Sequence, residues 1–107
     1  MGVITYNKLV RDKIPEIIRN DGKTCEVEIL SDEKYLEMLD AKLDEELAEY
    51  HKDQNVEELA DLLEVILAAA EARGCSREQL ELVRKEKFEK RGGFKEKILL
   101  KTVTDNS

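Results

Sequence analysis

The chain has few of the residues that usually advertise chemistry. Among its 107 residues there is one histidine, two cysteines, one proline and no tryptophan. A lone His51 with no His or Cys at ligand spacing cannot build a zinc site. Cys25 and Cys75 are far apart and lack CxxC spacing, which leaves two reduced, structural thiols. With Pro15 as its only proline, the chain can form long helices without interruption. No apolar run approaches the roughly 18 residues that span a bilayer, so no membrane partner is expected. The opening MGVITYNKLVRDK has no secretory apolar core, which implies a cytoplasmic location. Excess positive charge is also missing. With 18 basic against 25 acidic residues the net charge is -7, which argues against a nucleic-acid polymer, because phosphates need cations to neutralise them. A nucleotide accompanied by a divalent ion is still compatible with that charge.

The chain is rich in charge and in helical periodicity, with 40% charged and 41% hydrophobic residues. Its length suits one small domain over residues 1–107. Pro15 opens a short helix to Asn20 that Gly22 closes. Thr24 to Leu30 alternates like a half-buried strand, and the one partner available is Phe94 to Val103, so a short two-stranded β ribbon is possible. Ser31 caps a long helix from Asp32 to about Lys52, whose apolar stripe is Leu36, Leu39, Leu43, Leu47 and Tyr50. Asn55, with Glu58 three residues on, caps a second from Val56 to about Arg73. Gly74 stops that helix, and Ser76 with Gln79 opens a third from Arg77 to about Arg91. The expected fold is therefore mainly α, an antiparallel helical hairpin plus a third helix. The second helix is apolar nearly all round at LLEVILAAA (Leu62 to Ala70), which implies a subunit interface and a homodimer or higher homo-oligomer.

The hairpin carries the chemistry. Glu46 and Glu49 are three apart, as are Glu58 and Asp61, so each pair shares a helix face. The two pairs are symmetric about the short HKDQN interruption (His51 to Asn55), so a tight antiparallel turn sets 49 level with 58 and 46 level with 61. Two carboxylates about 5.5 Å apart repel by roughly 3 kcal/mol at an effective dielectric of 20, and four of them call for a cation. Oxygen donors without His or Cys select Mg²⁺, or Mn²⁺, over zinc. The alternative is a solvated acidic face, common in so acidic a chain.

These residues also carry a resemblance. Glu45-Glu46-x-x-Glu49 followed by Glu58-x-x-Asp61 resembles the paired acidic motifs of the MazG-like all-α nucleoside triphosphate pyrophosphohydrolases. YNKLVRDKIPEII near the start and KRGGF (Lys90 to Phe94) near the end resemble hallmarks of its phosphoribosyl-ATP pyrophosphohydrolase-like branch, so the resemblance spans nearly the whole chain. It implies Mg²⁺-dependent hydrolysis between the α and β phosphates of a nucleotide, giving a monophosphate and pyrophosphate. Residue by residue, it matches Glu46, Glu49, Glu58 and Asp61 to the metal ligands and Glu45 to the leading acid of the first motif. Glu45 and Glu49 are the catalytic candidates, either of which can act as the base if metal does not saturate it. Lys8, Arg11 and Lys13 at the start, with Lys87, Lys90 and Arg91 at the end, are candidates for binding substrate phosphates. Asp12 is placed to orient Arg11, and Tyr6 or Phe94 to stack on a base. The rival reading is a non-catalytic helical interaction module, or a nucleotide sensor that keeps the site without turnover.

Overall fold

A computed structural model describes residues 2–105. Four helices follow in order: α1 (Ile14–Asn20), α2 (Asp32–Asp53), α3 (Val56–Ala72) and α4 (Arg77–Arg91). Each long helix begins where a side-chain cap is available. The Ser31 hydroxyl accepts from the Lys34 amide and the Asn55 side chain from the Glu58 amide. At α4 the box closes in both directions, with the Ser76 hydroxyl accepting from the Gln79 amide and the Gln79 side chain from the Ser76 amide. Each bond satisfies a donor that the first helical turn leaves unpaired. At the far end of α3, Gly74 takes φ +86°. There the Cys75 amide reaches back to the Ala70 carbonyl and the Gly74 amide to that of Glu71, the paired closure that a left-handed residue permits.

Gln54, at φ 50° and ψ 40°, turns the chain between α2 and α3. With so short a link, α3 folds straight back along α2. The seam follows Leu39, Leu43, Glu46 and Tyr50 on α2 and Glu58, Leu62, Val65 and Ala69 on α3, all covered at least in part. This alternating spacing of three and four is that of two helices meshing at a shallow angle. Leu39, 3% exposed, is the one buried apolar side chain among the described residues. Leu47, expected in the stripe, is instead 43% exposed. The seam passes on the Leu43–Glu46 side of the helix, so a carboxylate takes the interhelical position that the sequence pattern suggested for leucine.

Outside the hairpin, little is covered. Residues 24–30 and 94–103 form no strand among the described residues, so the possible ribbon is not made. The physical reason is separation: a ladder needs a second edge alongside, and the C-terminal segment leaves the body. Every residue from 81 to 105 is exposed. The radius of gyration is 19.1 Å with a long axis of 70 Å, whereas a compact chain of this length would have a radius of about 13 Å. Since the 22 residues of α2 span only about 33 Å, the segments on either side of the packed α2–α3 hairpin extend beyond it rather than stack on it.

Candidate functional site

Glu46 and Glu58 sit in the seam, and Asp61 follows Glu58 by one turn on the same face of α3. The hairpin brings an oxygen from each of Glu46, Glu58 and Asp61 within 4.8 Å of one another. A second group, Glu49, Asp53 and Glu58, meets the same limit, with Glu58 common to both. All four carboxylates picked out by spacing therefore lie along one seam, as two overlapping triads rather than one ring. Asp53 was not among the expected residues. It lies in the last turn of α2, one turn beyond Glu49, so its i,i+4 spacing from Glu49 was the available signal.

An N-terminal arm lies across this acid cluster. Lys8 Nζ donates to Glu45 Oε1 at 2.7 Å, and an Arg11 guanidinium N–H donates to Asp61 Oδ1 at 2.7 Å. These contacts join residues 37 and 50 positions apart, and they place two of the expected phosphate-binding cations beside the expected metal ligands. Between exposed groups such pairs contribute at most about 1 kcal/mol each, so they position the arm more than they stabilise the fold. Lys8 also sits 5.8 Å from the centre of the Tyr6 ring, so that ring faces a cation of its own arm.

Lys42, outside the acidic motifs and the two basic segments, is a further participant. Its ammonium, on a side chain only 16% exposed, reaches Glu45 at 3.1 Å and Glu46 at 3.4 Å. The signal was again helical spacing, since Lys42 lies three and four residues before those two acids. Glu46 is itself only 13% exposed, so Lys42 supplies a counter-charge where water supplies little.

The electrostatics separate the acids into two kinds. Partial burial opposes ionisation of Glu45, but hydrogen bonds from Lys8 and Lys42 outweigh it and hold the carboxyl below its ordinary value. The same hydrogen bond holds the Lys8 ammonium above its own. Glu58 is shifted the other way: partial desolvation, and then the negative charges of Asp53, Asp61, Glu49 and Glu46, raise its pKa. Glu45 is thus a compensated carboxylate and Glu58 an uncompensated one.

The donor set fits a hard divalent cation. Octahedral ligands at about 2.0–2.1 Å from Mg²⁺ stand about 3 Å apart when adjacent and about 4.2 Å apart when opposite. Oxygens already within 4.8 Å of one another reach that spacing by small side-chain rotations.

The basic C-terminal candidates are elsewhere. Among the described residues no ion pair joins Lys13, Lys87, Lys90 or Arg91 to the hairpin carboxylates, and Lys90 pairs with Glu86 on its own helix at 3.3 Å. Phe94 is 98% exposed. His51 is exposed beside the turn, and both cysteines are free. No described helix is long and apolar enough to cross a membrane.

Comparison with known proteins gives little beyond this geometry. No protein-family model matches the chain, and no solved structure matches it. A protein of Mycolicibacterium smegmatis, described as uncharacterized, is 60% identical over 42 residues. That stretch covers 39% of this chain and 43% of the relative, so less than half of either protein is shared.

Proposed function

We propose that the chain is a Mg²⁺-dependent nucleotide pyrophosphohydrolase of the MazG-like kind, acting in the cytoplasm as a homo-oligomer. The observation that carries this reading is the convergence of Glu46, Glu58 and Asp61 oxygens within 4.8 Å across the hairpin, with Lys8 and Arg11 held against the same cluster. Glu46, Glu58 and Asp61 would hold the cation, with Glu49 and Asp53 alongside. When bound, Mg²⁺ supplies the positive charge that neutralises a triphosphate and polarises its phosphoryl oxygens.

The chain's own residues then divide the remaining work. Arg11, exchanging its contact with Asp61 for a phosphate oxygen, orients the substrate by a forked pair of hydrogen bonds. Lys8 adds a point charge beside it. Glu49 accepts a proton from the attacking water as the new oxygen–phosphorus bond forms at the α phosphate, and the bridging oxygen to the β phosphate leaves with pyrophosphate. Glu45 suits the base role less well, because two lysines already hold its carboxylate and lower its basicity. Apolar side chains exposed on the outer face of α3, among them Leu59, Leu63 and Ile66, support self-association. The free thiols suit a reducing compartment.

The test is release of pyrophosphate, as opposed to orthophosphate, from a panel of nucleoside triphosphates that includes dUTP and oxidised purines, with Mg²⁺ and with chelator. Mg²⁺-dependent pyrophosphate supports the reading. Silence across the panel, with no Mg²⁺ effect on melting, would favour the interaction-module reading, to which the exposed C-terminal region gives independent weight.

A further inference from the structure

Glu45 stands apart from the acids around it. It belongs to neither triad of converging carboxylates, although it directly precedes Glu46, because one step along a helix turns the side chain by about 100°. Both of its oxygens are taken by lysines instead. Lys42, one turn earlier on α2, donates to Oε2 at 3.1 Å, and Lys8 of the N-terminal arm donates to Oε1 at 2.7 Å. Lys42 is itself largely covered and also reaches Glu46 at 3.4 Å. The Glu45 carboxylate is therefore held from its own helix by one oxygen and offers the other to the arm.

The arm needs such a hold. Residues 2–13 form no helix or strand, and among the described residues the arm's ion pairs to the hairpin are Lys8 with Glu45 of α2 and Arg11 with Asp61 of α3. Leu9, between those two cations, is the one residue of 2–13 that is partly covered. Three residue steps reach at most about 10–11 Å, and packed helices lie about 8–10 Å apart, so the segment from Lys8 to Arg11 bridges the seam with one end on each helix. The two ends are not equivalent. Asp61 contributes one of the converging oxygens and Glu45 does not, so a divalent cation drawing on Asp61 competes with Arg11 and leaves Lys8 in place.

We propose that Glu45 is a positioning residue, which Lys42 fixes and which anchors the arm through Lys8 so that Arg11 is kept at the acid cluster. The tie between Glu45 and Lys8 is the lasting one, and that between Asp61 and Arg11 is exchangeable. When a cation takes Asp61, the anchored arm still holds Arg11 within reach of the phosphates that the cation neutralises. A tether of three residues keeps the local concentration of the guanidinium high without a second contact. The exchange at Asp61 rests on the proposed function; the anchorage through Glu45 does not.

The chain has no tryptophan, so Tyr6→Trp, at an exposed position two residues from Lys8, places a single fluorophore on the arm whose anisotropy reads its immobilisation. In chelator, Lys8→Gln and Glu45→Gln in that background should each lower the anisotropy, and the two together should lower it no further, because both cut the same tie. Lys8→Arg, which keeps the charge, should retain it. Anisotropy unchanged by either single substitution, or effects that add, overturns the anchorage. Lys8 lies outside every helix, so its variants report even where Glu45→Gln disturbs α2. Mg²⁺, compared with Na⁺ at equal ionic strength, should leave the anisotropy of the anchored arm nearly as it was and lower it in Lys8→Gln, where the Arg11 tie alone remains. An anisotropy in Lys8→Gln that Mg²⁺ does not change, while Mg²⁺ raises the melting temperature, overturns the exchange. Where the chain turns over a nucleotide, Glu45→Gln should raise KM by up to about fivefold, the range of one exposed ion pair, with kcat nearly kept. A loss confined to kcat overturns the positioning role. If Mg²⁺ has no effect on melting and no nucleotide is turned over, the proposed function fails, and the measurements in chelator still decide the anchorage.

Discussion

The hairpin and the C-terminal limb, α4 with the segment that follows it, are built from the same local ingredients and come to opposite ends. Both begin helices at a side-chain cap, at Asn55 in one case and Ser76 in the other, and both carry apolar residues at helical spacing. Yet α3 packs on α2 along its length, whereas every described residue of α4 after Leu80 is exposed. Caps and periodicity determine where a helix forms. What covers it depends on the geometry of the next connection: two residues, Gln54 and Asn55, reverse the chain sharply between α2 and α3, while residues 73–76 let α4 swing outward. The acid cluster exists because the first connection is tight, since only a tight reversal brings Glu46 level with Asp61.

The largest expected effect lies in that cluster. Asp61→Asn or Glu49→Gln should reduce pyrophosphate release by about 100- to 1000-fold, the scale on which loss of one transition-state-stabilising group is felt. Circular dichroism should be unchanged, because neither side chain is needed for the seam. Full turnover in both variants would remove these residues from the site. Next in size is the core contrast. Leu39→Ala should cost about 2–5 kcal/mol in denaturant unfolding, whereas Leu99→Ala, measured dilute enough to keep copies apart, should stay within about 0.5 kcal/mol. A comparable loss at Leu99 would mean that the limb is packed within its own chain.

Glu45 and Glu58 sharpen the comparison within the hairpin. Glu45, held below its ordinary value of 4.5, contributes stability that is present above the unfolded pKa and lost as pH falls through its folded one. Glu58, held above 4.5, contributes most below its unfolded pKa and loses that contribution as pH rises through its folded one. Glu58→Gln should therefore raise the melting temperature of the metal-free protein at neutral pH, and the gain should shrink as pH falls to the ordinary carboxylate range. The same change should abolish any Mg²⁺-dependent stabilisation, because binding to the folded state alone produces it. Stabilisation by Mg²⁺ that survived in Glu58→Gln would move the cation away from the seam.

Much of this was legible in the residues. Ser31, Asn55 and Ser76 marked the helix starts, and Gly22 and Gly74 their stops, because caps and left-handed closures are local chemistry. The level pairing of Glu46 with Asp61 and Glu49 with Glu58 followed from the symmetry of the turn. What spacing did not reveal depends on tertiary choice. Which side of α2 the seam would take decided that Glu46, and not Leu47, lies between the helices, and so made Lys42 a half-buried counter-charge. The alternation at Thr24 to Leu30 has the pattern of a strand, but a strand also needs an edge to join, and the direction of α4 removes the only one available.

The two caps test the contrast at its smallest scale. Removing an N-cap oxygen costs about 1 kcal/mol, so Asn55→Ala and Ser76→Ala begin with similar local losses. At Asn55 the loss falls on a helix locked into the seam and coupled to the turn that aligns the carboxylates. It should appear as lower global stability of about that size, with helical content retained until unfolding. At Ser76 the capping box supports a helix that packs on α3 only near its start, where Leu80 is partly covered. The loss should then appear as fraying of α4, with reduced helical signal at low concentration and almost no change in the melting of the hairpin. Equal losses in the two variants would mean that α4 is as firmly held within its own chain as α3.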